Sequence, residues 1–320
     1  MTSFSLANKR VFVAGHRGMV GSSICRRLEQ ENCDLLVRTR AELDLRDSVA
    51  VKNWFKAAQP EVVFLAAAKV GGIHANATLP ADFLYDNLII QTNIIHAAFE
   101  TKVEKLMFLG SSCIYPRMAP QPIEESALLT GPLEPTNEWY AIAKIAGLKL
   151  AAAYRRQHGC DFISAMPTNL YGPGDNFDLE SSHVMPALIR KAHEAKVARA
   201  ESVVVWGTGS PLREFLHVDD CADACVFLMK EYSDEEHVNV GSGDEISIID
   251  LTRLVCGIVG FQGEVVMDLE KPDGTPRKLM STSKLRRMNW SPKISLSEGI
   301  RSAYEAFVQN ENTSKQAERG

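Results

Sequence analysis

The alternation of two kinds of segment constrains this chain more than any other feature of it. Apolar runs of strand length (RVFVAG, DLLV, VVFLAA, KLMFLGSS and DFISAM) alternate with amphipathic stretches expected to be helical near residues 20–30, 48–58, 87–100 and 140–157. A strand buried on both faces reads as an unbroken apolar run, and a parallel neighbour needs a crossover helix to reach it. The pattern predicts βαβ units and an α/β fold, a Rossmann-like doubly wound parallel sheet. Later in the chain, helices expected near 184–195 and 248–259 flank VVVWGTG, which predicts a smaller C-terminal α+β domain. The 320 residues suffice for both. The expected division is 1–175, rejoined by about 213–238, for the Rossmann-like domain; about 176–212 and 239–310 for the smaller domain; and 311–320 as a frayed polar tail.

A net charge of −5 argues against a broad nucleic-acid-binding face. No apolar segment approaches the ~18–20 residues that cross a bilayer, and the opening MTSFSLANKR lacks a signal-peptide core. The seven cysteines show no CxxC spacing, and Cys221 and Cys225, one helical turn apart, read as a buried face. The expectation is a reduced, soluble, cytoplasmic protein with neither a nucleic-acid nor a membrane partner.

Between the first strand and the first helix stands Gly15-His16-Arg17-Gly18-Met19-Val20-Gly21, a GxxGxxG turn. Glycines there permit a tight turn and let a pyrophosphate approach the helix N-terminus closely. An NAD site offers a carboxylate about 20 residues further on for the ribose 2′-hydroxyl. Here Arg38 and Arg40 occupy that region, and Arg17 lies inside the turn. Three cations suit a 2′-phosphate, with no carboxylate to repel it, so the expected cofactor is NADP(H). Solvated surface arginines are the plainer alternative. Asp44 falls too late for the ribose and is a candidate contact for the adenine.

Tyr140 and Lys144 form YxxxK at the head of a helix, one turn apart on one face. A lysine cation near a phenol is expected to lower its pKa and make Tyr140 a usable proton donor to an alkoxide. Ser111, after the fourth strand, can hydrogen-bond a substrate carbonyl. The pattern YxxxK alone is common on helices; with the glycine turn and the serine it forms a consistent carbonyl-reducing set.

Those three elements together resemble the extended short-chain dehydrogenases/reductases. The flanking text, GHRGMVG, LAAAKVGGI, GSSCIYP, EPTNEWYAIAKIAG, MPTNLYGP, REFLHVDD and KPDGTPRK, extends the resemblance from about Lys9 to about Phe307. It is similar to the branch of that family that epimerises GDP-4-keto-6-deoxy-mannose at C3 and C5 and then reduces C4 with NADPH. The resemblance implies a nucleotide-sugar substrate and a homodimer, for which the helices near 87–100 and 140–157 are the expected interface. It also implies cofactor contacts from Met19, Val20, Leu45, Ala67, Leu109, Ser112, Lys144, Pro167, Leu170 and His183.

A C4 ketone acidifies the hydrogens on C3 and C5, and inverting each centre needs a base on one face and an acid on the other. In an extended run Ser111 and Cys113 would project to the same side. Cys113 would then sit beside the carbonyl-binding serine, with a His or Lys cation bringing the thiol into a useful range. His183, at a helix start, is the matching proton partner. The resemblance assigns both residues to epimerisation. A small buried hydrophobe and a helix-start hydrogen-bonder are the structural alternatives. Asn169 and Asn137 are candidates to orient substrate or water, or merely to cap turns.

For the nucleotide sugar the resemblance implies Lys191, Trp206, Arg213, Asp273 and Lys278. Lys191 replaces a frequent arginine and cannot grip a phosphate bidentately. Trp139 stands where proline commonly precedes the catalytic tyrosine. His217 with Asp219 and Asp220 reads better as a helix N-cap than as a metal site, and no metal is expected. A dehydratase would need an acid–carboxylate pair where Ser112 and Cys113 stand. A 4-epimerase recycling NAD is disfavoured by the arginines, and a non-catalytic NADP sensor by the intact YxxxK.

Overall fold

The structure, a computed structural model, describes residues 3–179, 181–271 and 273–317. Strand β1 (Arg10–Ala14) leads through a turn into helix α1 (Met19–Leu28) and β2 (Asp34–Leu36). Then follow α2 (Ser48–Ala58), β3 (Val62–Leu65), the short α3 (Ile73–Thr78), α4 (Pro80–Glu100), β4 (Lys105–Leu109), α5 (Glu138–His158) and β5 (Asp161–Pro167). The second half contains β6 (Asn169–Tyr171), α6 (Val184–Ala198), β7 (Ser202–Trp206), β8 (Leu212–His217), α7 (Val218–Glu231) and β9 (Val238–Val240). It closes with β10 (Glu245–Ser247), α8 (Ile248–Val259), β11 (Glu264–Asp268), β12 (Arg277–Lys278), α9 (Ser283–Arg287) and α10 (Leu296–Ala317).

The large sheet has the order β2-β1-β3-β4-β5-β9, all parallel. Because β1 is buried on both faces, alternate residues feed two cores. Val11 and Val13 pack with Ile24 of α1 and Cys225 of α7; Phe12 and Ala14 pack with Phe55 of α2 and Ile95 of α4. Burying each of the Val, Ile and Phe side chains is worth ~1.5–3 kcal/mol, and the alternation pins the register. Helix ends follow local chemistry. Asp47 caps α2 by accepting from the Val49 and Ala50 amides, and Gly159 ends α5 at φ 69°.

A third core, around Ile189, Val205, Leu251, Val255 and Phe307, belongs to the smaller domain. There β8 pairs with β6, β10 and β12, while β7 pairs with β11. The domain boundaries expected near 213 and 238 fall inside β8 and β9. Helix α10 continues through Ala317, into the stretch expected to fray, and the last three residues of that stretch lie outside the described residues. Glu180, and Pro272 of the KPDGTPRK segment, also lie outside them. Among the described residues no helix is long and apolar enough to cross a membrane.

In a 2-1-3-4-5 order the chain winds outward in both directions from the β1/β3 boundary. That switch point leaves a crevice at the carboxyl ends of the strands, where doubly wound sheets bind ligands.

Candidate active site

The glycine turn closes at this crevice. Gly15 has φ 89°, and a Cβ there would lie 2.7 Å from the Ala67 nitrogen at the end of β3. A Cβ on Gly21 would collide with the Gly15 carbonyl oxygen. Gly18 differs: its φ of −76° suits any residue, and a Cβ would meet only the Gly15 oxygen at 3.4 Å. It is the N-cap of α1, and no side chain occupies the helix's first amides. The fold requires Gly15 and Gly21, whereas Gly18 keeps an outward anion-binding face clear.

The arginines divide. Arg17 and Arg38 are exposed, and the charge of both reaches Glu42, whose carboxylate accepts from the Thr39 amide at 2.7 Å. Arg38 also lies 5.6 Å from the centre of the Trp54 ring. Arg40 turns to Asp44 at 3.6 Å. Two sequence expectations are corrected. The three cations do not converge, and the edge does carry a carboxylate, Glu42, two residues after Arg40. Asp44, the candidate adenine contact, is bound by Arg46 at 2.7 Å, which holds its carboxyl down at about 2. Leu45 packs on the α2 side of the sheet, with its carbonyl taken by Asn93 at 2.9 Å.

Beyond β4, Ser112–Ile114 form one turn of 3-10 helix with Ser111 as its N-cap. The expected extended run is therefore absent. Ser111 and Cys113 become neighbours because the chain wraps, with the Cys113 amide donating to Ser111 Oγ at 3.4 Å. Ser112 and Cys113 are both buried. Burial pushes the Cys113 thiol up, against the charge of Lys278, the Ser111 hydroxyl and the charge of Lys144.

Tyr140 and Lys144 share a face of α5, the ammonium 5.8 Å from the phenol ring centre. Lys144 donates to the Leu109 carbonyl at 2.8 Å and lies 4.9 Å from the Phe108 ring. Burial lowers it to about 8. The Tyr140 phenol is pushed up, by burial first and by proximity to Cys113 second. The phenol thus stands raised where a lowering by Lys144 is expected, because burial disfavours the phenolate. Tyr140 keeps its proton and can donate it.

His183 is the N-cap residue of α6, yet its ring makes no capping bond. It is open to the cleft, but the surrounding walls still push its imidazole pKa down. Its loop is held to the start of α3 by Gly72, whose amide donates to the Ser181 carbonyl at 2.9 Å. Asn169 donates to the Glu214 carbonyl at 2.8 Å, so its amide braces β8. Asn137, just before α5, has a buried Oδ1 with no partner. Pro167 closes β5, and Leu170 in β6 packs against the α1 side of the sheet.

On the second domain, Arg213 of β8 stands in register with Lys278 of β12. Both are pushed down by burial. Asp273 accepts from the Thr208 amide at 2.9 Å and its hydroxyl at 2.8 Å, which makes it a loop clasp here. Trp206 is 62% exposed, with Lys191 at 5.2 Å and Lys271 at 5.7 Å from its ring. Lys271 opens KPDGTPRK but was not singled out from the sequence. His217 caps α7, its Nδ1 accepting from the Asp219 amide at 3.2 Å, as the N-cap reading expects. Trp139 is half exposed beside Tyr140.

Residues 11–241 match the model of the NAD dependent epimerase/dehydratase family. A GDP-L-fucose synthase of Arabidopsis thaliana is 62% identical, over 97% of this chain and 96% of its own. One from Sinorhizobium fredii is 60% identical, over 97% of this chain and 99% of its own. A solved GDP-L-fucose synthetase of Naegleria fowleri bound to NADP is 29% identical with a TM-score of 0.90, covering 98% of each chain.

Proposed function

The chain belongs to the NAD dependent epimerase/dehydratase family, and from that premise we propose that it makes GDP-L-fucose. The substrate is GDP-4-keto-6-deoxy-D-mannose, epimerised at C3 and C5 and then reduced at C4. The observation that carries this reading is Cys113 wrapped onto Ser111 beside Tyr140 and Lys144. One pocket thereby offers both a carbonyl-binding reductase set and a thiol.

The cradle suits NADP(H): an uncapped helix N-terminus, a clear face at Gly18, and exposed Arg17 and Arg38 for a further anionic group. When bound, NADPH supplies the hydride for C4. The protein's part is proton management and charge stabilisation. Ser111 and Tyr140 donate to the C4 oxygen, which is the enolate oxygen during epimerisation and the alkoxide afterwards. Cys113 and His183 move protons at the neighbouring carbons from opposite sides. Tyr140, held protonated, gives its proton to the final alkoxide, and Lys144 orients the site from the end of β4. Arg213 and Lys191 neutralise the diphosphate, and Trp206 offers an exposed ring to the nucleotide or sugar. The Asp273 clasp shapes that wall. Asn169 and Asn137 orient groups near the sugar. We further propose a cytoplasmic homodimer joined along α4 and α5, whose outer faces expose Tyr85 and Ile142.

Incubating the pure protein with GDP-4-keto-6-deoxy-mannose and NADPH in heavy water tests this reading. NADPH consumption with deuterium at C3 and C5 is expected. Oxidation without deuterium would leave only a ketoreductase, and no oxidation would sink the reading. Cys113→Ser should abolish exchange, by ~100-fold or more, while NADPH binding persists; exchange surviving intact would remove Cys113 as the base.

A further inference from the structure

The cation coupled most strongly to Cys113 is not His183 but Lys278, from the other domain. Its strand is fastened to the loop that follows the thiol. The Leu279 amide donates to Gln121 Oε1, the Ile123 amide to the Leu279 carbonyl, and the Ser281 amide to the Ile123 carbonyl, each at 2.8 Å. On the opposite side the Met280 amide donates to Glu214 at 3.1 Å. Glu214 is fully buried, follows Arg213 in β8, and also takes the Gly243 amide at 2.8 Å. Both residues are thus held in place: Cys113 by its 3-10 turn, and Lys278 by its register with Arg213 in β8 and by neighbours braced on Glu214 and on the 121–123 loop.

The charges around the pair leave the ammonium free to serve the sulfur. Cys113 is faced by Ser111 from its own turn, by Tyr140 and Lys144 from α5, and by Lys278 from β12. Lys278 is faced in turn by Arg213 of β8 and by Glu134. Glu134 is engaged by Arg117 at 3.3 Å and by the Thr275 hydroxyl at 3.1 Å. Among the described residues Lys278 makes no ion pair. A buried thiol without a cation stays protonated and inert as a base, and burial does push this one up.

We propose that Cys113 and Lys278 act as one unit, a thiolate–ammonium base for epimerisation assembled across the two domains. This deepens the function proposed above and rests on it for the substrate. The thiol proton leaves to solvent and the sulfur keeps the electron pair beside the ammonium. The thiolate then takes a proton from a carbon next to the ketone. The C–H bond breaks, an S–H bond forms, and the C–H electron pair moves through the new C=C bond onto the C4 oxygen. No oxidant or reductant is needed.

The test is carbamidomethylation of the substrate-free enzyme by iodoacetamide across pH, read by mass spectrometry on the peptide holding Cys113. In Lys278→Gln the midpoint is expected to rise by ~1 pH unit, a tenfold slower reaction at a fixed pH below both midpoints. Lys278→Arg should restore the wild-type midpoint. NADPH binding by fluorescence reports that each variant is folded, and Lys278→Met gives the same comparison if the glutamine variant is not. An unchanged midpoint without the cation overturns the pairing, as does an arginine variant that behaves like the glutamine one. Because no sugar is present, this result stands apart from the heavy-water experiment. A wild-type enzyme that fails to exchange deuterium refutes the function, and an unmoved thiol midpoint refutes the pair.

Discussion

Two buried lysines stand at opposite ends of β4 and meet different fates. Lys105 opens the strand at 2% exposure; it donates to the Tyr232 carbonyl at 2.6 Å and pairs with Asp161 at 3.2 Å. Lys144, 4% exposed, reaches the carbonyl of Leu109 that closes the strand and has no carboxylate. Burial lowers both pKa values. At the amino end of the sheet the surroundings repeat the pairing, with Arg155 on Asp161 at 2.6 Å and Lys9 on Glu104 at 2.8 Å. At the carboxyl end, among the described residues, Lys144, Lys278 and Asp175 make no salt bridge. Charges paired at one end tie the chain together; charges left unpaired at the other keep their chemistry for a ligand.

Removing Lys144 should give the largest effect. Lys144→Met is expected to cut the reduction rate by ~100-fold or more with no loss of resistance to urea, since it deletes an unpaired buried cation. A variant that unfolds instead would erase the contrast. The pH profile follows next. Lys144 titrates at about 8 in the ligand-free site, so it is charged below that value and neutral above it. Turnover should therefore fall about tenfold per pH unit above ~8, and a profile flat to pH 10 would show that its charge is not used. Lys105→Met should leave turnover unchanged and cost ~1–3 kcal/mol in urea unfolding, Arg155 still serving Asp161. A large drop in turnover there would break the comparison from the other side.

The smallest expected effect concerns Asp175. Its Oδ2 is buried without a partner, and burial raises its pKa to about 7. It follows Gly174, where a Cβ would lie 3.7 Å from Met19 Cα at the glycine turn. A carboxyl that prefers its proton in the fold but ionises near 3.8 when unfolded loses stability as pH rises from ~4 to ~7. Asp175→Asn should remove that loss and raise stability at pH 8 by ~1 kcal/mol; melting curves at pH 5 and 8 would check the difference.

The large sheet was legible because β1, β3, β4 and β5 are long apolar runs with helices between them, and α2 and α8 fell on their expected residues. The smaller domain was less so. Strands β6 and β10 have three residues each and β12 has two, too short for any period to register. Asn137 reads equally as an orienter or a turn cap; it stands at the N-cap of α5 without a side-chain capping bond, its buried oxygen unpartnered. Glu214 carried no signal at all, because its role lies in two amides supplied from 29 and 66 residues away.

Local spacing and periodicity encode the doubly wound fold, the glycine turn and the identities of the serine, cysteine, tyrosine and lysine at the site. Only the tertiary structure decided how these groups are charged. Burial depends on what the rest of the chain packs around a side chain. It pushed Tyr140 up where Lys144 alone would have lowered it, divided the arginines between Glu42 and Asp44, and brought Lys278 to Cys113 across 165 positions.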